Sequence, residues 1–228
     1  MHVQIHDPTA RIEEIHGFTV VVDVLRAFSV AYFIEKATPG KYIVVNDIEI
    51  AFDLKEKFKS VILIGERSGV KIPGFDFGNS PTEILNQNFS NHIVVHTTSA
   101  GTNGLIKQSR KNLVVVGSFV NFSSIVKYVL NNNIEIVNIY CTASRGDIFG
   151  LEDYLFAEHL RESLLSGFVE YDEIRTKIFD INKEGFSESG FAPRTDLLLC
   201  LDINKFDSLL TPVPCTLDNK LLELRKLA

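Results

Sequence analysis

The sequence predicts a layered α/β/α fold on a mostly parallel or mixed sheet, and two observations carry that expectation. Six short apolar runs, at residues 18–24, 42–45, 61–64, 92–96, 113–116 and 134–140, are continuous rather than alternating, as strands covered on both faces are. Helical segments separate them, at 27–36, 47–58, 81–88, 103–109, 120–131 and 151–165. Alternation of this kind is the pattern of a sheet covered by helices.

Local chemistry marks some of these boundaries. Ser80, Pro81 and Glu83 form a capping box with proline at the first helical position, and Asn46 with Glu49 gives a weaker version. Pro212 and Pro214 make the segment 209–213 an edge strand or an extended tail, because proline cannot donate to a ladder. After about residue 167 the pattern loosens and strand order is not legible. The 228 residues, 45% apolar, suffice for one full core. The expectation is a single α/β domain over residues 1–228, with a two-lobed arrangement open.

Composition narrows the partners. With 23 basic against 29 acidic residues the net charge is -6 and no basic stripe is present, which disfavours nucleic acid. No apolar run approaches the roughly 20 residues of a membrane span, and the first residues carry no secretory pattern. A cytoplasmic protein with no membrane partner is expected, and homo-oligomerisation stays open. Cys141, Cys200 and Cys215 have no metal-site spacing, and Cys141 and Cys200 read as small core hydrophobes.

In parallel sheets, ligands bind beyond the carboxyl ends of the strands, and that is where the unusual residues fall. Asp23 and Arg26 follow the first run, Gly65, Glu66 and Arg67 the third, Thr97, Thr98 and Ser99 the fourth, Gly117 and Ser118 the fifth, and Cys141 and Thr142 the sixth. Asp23 beside Arg26 reads either as a metal-binding acid next to a phosphate-binding guanidinium or as an ion pair at a helix start. Glu66 and Arg67 repeat the couplet between two glycines, ahead of a loop of about 13 residues, longer than most connections. Asp76 in that loop is either a metal or substrate contact or a turn-stabilising side chain. Residues 97–104 form a hydroxyl-rich loop entering a helix, the composition of an anion cradle. Ser118, ahead of Asn121, reads first as a helix cap. Arg145, Gly146 and Asp147 precede a helix opening with Leu151, Glu152 and Asp153, whose acids suit a helix N-terminus whatever else they do. His159 reads as an ordinary half-buried histidine.

Absent motifs exclude several chemistries. There is no GxGxxG, GxSxG or HExxH, no cysteine with an arginine six positions on, and no Asp-x-Asp pair.

Taken in order, Asp23-Val24-Leu25-Arg26-Ala27, Gly65-Glu66-Arg67, Gly74-Phe75-Asp76-Phe77-Gly78-Asn79-Ser80-Pro81, Thr97-Thr98-Ser99-Ala100-Gly101-Thr102, Gly117-Ser118-Phe119-Val120-Asn121 and Leu151-Glu152-Asp153 resemble the signature blocks of the 2-phosphosulfolactate phosphatases. The match spans about the first 165 residues. The resemblance implies a Mg²⁺-dependent enzyme that releases phosphate from 2-phosphosulfolactate in coenzyme M biosynthesis, on a topology peculiar to the family. It assigns Asp23, Glu66 and Asp76 to the metal, with Glu152 and Asp153 as further candidates. Around a small phosphorylated acid it places Arg26, Arg67, Asp76, Thr97, Thr98 and Ser99, with Asn79, Ser118 and Asn121 nearby, and the catalytic set is Asp23, Arg26, Glu66 and Arg67. Ser99-Ala100 stands where Thr-Asn is the more typical pair, a departure that bears on the substrate. The expected reaction is phosphate-monoester hydrolysis by in-line attack of water or a carboxylate. Two rivals remain at this stage. One is a non-catalytic binder of a phosphorylated metabolite; the other, a dinucleotide oxidoreductase, is disfavoured by the missing glycine fingerprint.

Overall fold

A computed structural model describes residues 1–11, 15–109, 113–143, 150–167, 171–187 and 192–227. The strands divide into two sheets. The first, in the order β1 (His2–His6), β8 (Ile136–Cys141), β2 (Phe18–Val22) and β7 (Leu113–Gly117), is wholly parallel. The second runs β5 (Val70–Lys71), β4 (Val61–Arg67), β6 (Ile93–Thr97), β3 (Lys41–Val44), β10 (Leu222–Lys226) and β9 (Leu210–Pro214). Its three central strands are parallel, and its outer strands pair antiparallel.

The continuous apolar runs follow from this layering. The central strands alternate their side chains between two dry layers. Val20 and Val22 face one core while Val21 faces another; Ile43 and Val45 likewise separate from Tyr42 and Val44. The shared middle layer, lined from both sheets, holds α1 (Ala27–Lys36), whose residues from Ala27 to Ile34 are all buried. A helix covered all round in this way has no polar face to present to water. The outer face of the first sheet carries α5 (Phe122–Asn131) and α6 (Leu151–Ser166), and that of the second carries α2 (Ile48–Lys57). The layered α/β expectation holds, with two sheets around one helix layer.

Most elements lie where the sequence puts them, and the departures have local causes. The helix expected at 81–88 closes early as α3 (Pro81–Ile84), ahead of Asn86 and Asn88, which are poor helix formers. Ser80 caps it, accepting from Glu83 N at 3.3 Å. At α2 the cap is Asp47, not Asn46; its carboxylate accepts from Glu49 N at 3.0 Å. The helix expected at 103–109 starts earlier, as α4 (Gly101–Gln108). Strand β4 outruns its apolar stretch to reach Arg67, because Ser68 and Gly69, both at positive φ, turn it back into β5. Two successive positive-φ residues make the turn that suits a tight hairpin.

β9 is an edge strand, as its prolines require, and Thr211 there donates to Val114 O of β7 at 2.8 Å, joining the two sheets. Unforeseen were β1, β10, α7 (Asp172–Asn182) and α8 (Arg194–Cys200). No helix among the described residues is long and apolar enough to cross a membrane.

Candidate active site

Three neighbouring strands of the first sheet end level with one another. Val22 of β2 is registered against Gly117 of β7 and Cys141 of β8, so Ser118, Asp23 and Thr142 leave the sheet side by side at its carboxyl edge. Asp23 Oδ1 accepts from Ala27 N at 2.8 Å and so caps the first turn of α1. Its other oxygen, Oδ2, accepts from Thr142 Oγ1 at 3.4 Å. The same hydroxyl lies 3.4 Å from Asp153 Oδ2, and one hydroxyl proton serves one carboxylate at a time. Asp153 Oδ1 accepts from Val24 N at 2.8 Å, which ties the start of α6 to the end of β2.

Glu152 and Asp153 both sit in the first turn of α6, where the helix dipole favours negative charge. Burial is nonetheless the larger effect. It pushes Asp23 up to about 6, with nearby Glu66 adding to the rise, and Glu152 up to about 7, with Asp23 adding to it. Asp153 is driven well above the usual carboxylate range by burial, then by Asp23 and Glu152. Three carboxylic groups thus share a space short of positive charge. Glu152 Oε2 is buried with no hydrogen-bond partner among the described residues.

The second sheet supplies the facing wall. Glu66, at the end of β4, accepts from Gly69 N at 2.7 Å and from Ser99 N and Oγ at 2.7 and 3.1 Å. Its carboxylate therefore clamps the hairpin turn to the hydroxyl loop. Arg67 Nη2 donates to Thr97 Oγ1 at 3.0 Å and to Asn46 O at 3.3 Å, and Nη1 donates to Glu66 O at 2.8 Å. Among the described residues this half-buried guanidinium has no carboxylate partner. Thr98 and Thr102 bond reciprocally: Thr98 Oγ1 accepts from Thr102 N at 3.1 Å, and Thr102 Oγ1 accepts from Thr98 N at 3.0 Å. Those bonds fix the first turn of α4, so the loop's hydroxyls mostly hold its shape.

Arg26 projects from the start of α1 into the same region, near enough to Asp23 to lower its pKa. Its Nη1 donates to Asp196 Oδ2 at 2.6 Å, with both side chains buried, and its Nη2 donates to Gly69 O at 3.3 Å. Asp196, on α8, gave no signal in the sequence: it sits among Leu197, Leu198 and Leu199 with no neighbouring motif.

The structure brings together Asp23, Arg26, Glu66, Arg67, Thr97, Thr98, Ser99, Glu152 and Asp153. Three of the expected site residues are elsewhere, and one is fully enclosed. Asp76 Oδ2 accepts from Leu63 N at 2.8 Å and from Lys55 Nζ at 2.6 Å; it pins the long loop back onto β4, so the turn-stabilising reading describes it. Asn121 is fully buried, accepts from Ser118 N at 3.0 Å and donates to Tyr32 Oη at 2.6 Å. That network belongs to the middle of the molecule rather than to a ligand. Ser118, although level with Asp23, is enclosed with it. Asn79 Oδ1 pairs with His96 Nε2 at 3.2 Å, and His96 Nδ1 with Tyr42 Oη at 2.8 Å. His159 packs tilted against Phe122 and edge-on to Tyr171, as a half-buried partner of the core. Arg145, Gly146 and Asp147 lie outside the described residues.

Among the described residues no three His, Cys, Asp or Glu side chains form a ready-made metal cage. The donors at hand are hard carboxylate oxygens, one of them unpartnered. That set suits Mg²⁺, which uses one or two protein carboxylates and completes its shell with water and phosphate oxygens.

The family model for 2-phosphosulpholactate phosphatase matches residues 5–189. The chain belongs to that family. With it, the chain falls among the phosphoric monoester hydrolases. A probable 2-phosphosulfolactate phosphatase of Caldanaerobacter subterraneus is 30% identical over 207 residues, covering 82% of this chain and 84% of that one. Proteins of the same name from Caldicellulosiruptor saccharolyticus and Thermotoga petrophila are 36% and 37% identical over 156 and 138 residues. These alignments cover 67% and 60% of this chain and 64% and 58% of the relatives.

Proposed function

We propose that this family member is a Mg²⁺-dependent phosphatase that hydrolyses 2-phosphosulfolactate to sulfolactate and phosphate. One observation carries the reading: Asp23, Glu152 and Asp153 crowd one buried edge that Arg26 and Glu66 also reach, with Arg67 and the start of α4 on the facing wall. The names of the relatives supply the substrate. Action in the cytoplasm and in coenzyme M biosynthesis belongs to the same proposal.

Glu152, together with Asp23 or Asp153, would hold the cation. When bound, Mg²⁺ supplies positive charge opposite the phosphoryl oxygens. Arg67, unpaired with any described carboxylate, binds phosphate oxygens through its planar fork. The N-terminal turn of α4 adds a favourable dipole, and the Glu66 clamp holds the hydroxyl loop that carries it. Arg26 offsets charge on the phosphoryl group as it transfers. In the balanced reaction a water oxygen bonds to phosphorus and the bond from phosphorus to the ester oxygen breaks. The departing alkoxide takes a proton to become the free hydroxyl of sulfolactate.

The test is phosphate release from 2-phosphosulfolactate and from other 2-phospho-hydroxy acids, with Mg²⁺ or with chelator. Release that depends on Mg²⁺ and is abolished in Arg26→Ala and Glu66→Ala, with far-UV dichroism intact, is the expected result. Tight binding without turnover would make the protein a metabolite sensor, and full activity in either variant would refute the assignment.

A further inference from the structure

We propose that Asp196 is the positioning residue for Arg26, and that helix α8, past the end of the family match, thereby sets the geometry of the phosphoryl site. The inference rests on the functional reading above for the role of Arg26. Asp196 lies past residue 189, where the family match ends, and outside every signature block. Yet its side chain is wholly enclosed and spends both oxygens on the site's framework. Oδ2 accepts from Arg26 Nη1 at 2.6 Å, while Oδ1 accepts from Ser80 Oγ at 2.7 Å and from Thr82 N at 3.0 Å.

The division between the two oxygens gives Asp196 its role. Ser80 and Thr82 fix one oxygen against the start of α3, so the other presents to Arg26 a charge that cannot swing. The guanidinium is planar, and Nη1 bound to Asp196 with Nη2 donating to Gly69 O leaves it little rotational freedom. Phe186 lies against it, with the ring centroid 5.9 Å from the guanidinium carbon. An arginine with four rotatable bonds would otherwise sample many rotamers in a site whose chemistry depends on orientation.

Asp196→Asn separates the two functions of the side chain. The amide oxygen can still accept from Ser80 and Thr82, whereas the amide nitrogen facing Arg26 cannot accept at all. Expected is a fall in kcat on the order of 100-fold, with KM nearly unchanged, as misplacement of a transition-state contact gives. In an Arg26→Lys background the same substitution has little further effect, because the two act as one unit. Asp196→Glu, which keeps the charge, is expected to fold and to recover much of the lost kcat. It carries the test should D196N fail to fold.

Three outcomes for D196N itself overturn the proposal. They are an unchanged kcat in D196N, a lowered KM, which would make Asp196 a competitor for Arg26, or effects of D196N and R26K that simply add. Ser80→Ala is the control for helix anchoring: Thr82 N still holds Asp196 Oδ1, so the variant lowers Tm and largely keeps kcat, and a loss equal to that of D196N would also sink the idea. If the wild type releases no phosphate, the functional reading fails by itself. Calorimetric titration with inorganic phosphate then decides the positioning role, which stands if D196N and R26K weaken binding non-additively and falls otherwise.

Discussion

Gly101 at the start of α4 is pressed onto the carboxylate of Asp23. A Cβ at residue 101 would stand 2.6 Å from Asp23 Oδ2 and 2.6 Å from the Ala27 Cβ. Backbone freedom is not the reason for the glycine, since residue 101 has no positive φ. The reason is space, because two helix N-termini and a strand end meet there.

Gly101→Ala therefore sets two effects against each other. Alanine in a helix gains ~0.5–1 kcal/mol over glycine, while overpacking a closed site costs ~1–3 kcal/mol. The clash involves a methyl carbon and an anchored carboxylate, neither at the end of a flexible chain, so the cost wins. Thermal unfolding should show a lower Tm and phosphate release should be largely lost; a stabilised, active G101A would contradict the contact.

Mg²⁺ should stabilise the protein independently of any turnover. At 100 times its dissociation constant a ligand adds about 2.7 kcal/mol, so Tm measured with Mg²⁺ should exceed that with chelator. Glu152→Gln removes the buried carboxylate oxygen that has no partner among the described residues of the cluster. It should shrink the shift and leave the fold intact. An undiminished Mg²⁺ shift in E152Q would remove Glu152 from the metal site.

His96 gives stability a pH dependence that can be isolated by difference. Burial lowers its pKa from 6.5 to about 3, so in the folded protein it stays neutral where the unfolded chain takes up a proton. The unfolded state thus binds more protons between pH 6.5 and 3. No cost arises above pH 6.5, and stability falls as the pH drops through that window. At pH 5 the loss is about 2 kcal/mol relative to neutral pH. Urea unfolding of wild type and His96→Gln at pH 7.5 and 5 should show this increment only in the wild type. Equal pH dependence in both would exclude a buried neutral His96.

Asp76→Ala should affect folding and leave catalysis alone. Its bond to Leu63 N contributes ~0.5–1.5 kcal/mol, and its half-exposed pair with Lys55 adds little. A modest drop in the urea midpoint with kcat and KM unchanged is expected. A collapse of kcat would return Asp76 to the reaction.

Placement was legible in the sequence where it follows from strand direction. Asp23 and Thr142 in the first sheet, and Glu66 and Thr97 in the second, stand at or just past an apolar run, and parallel strands carry each pair to one edge of its sheet. Placement was not legible for side chains whose partner is remote. Asp76 and Asn79 lie in the most distinctive block of the chain, yet their hydrogen bonds go to Leu63, Lys55 and His96. A motif marks a loop; it does not say which way each side chain turns.

Local patterns alone determined the alternation of strand and helix, the cap at Ser80, the edge character of the segment around Pro212 and Pro214, and the family. Tertiary structure alone decided that the strands part into two sheets around α1, that Ser118 and Asn121 turn inward, and that Asp196 reaches Arg26 across 170 positions. The physical reason is range. Propensity and periodicity act over a few residues, whereas the pairing of a buried charge is settled only when packing removes water from around it and leaves one partner within reach.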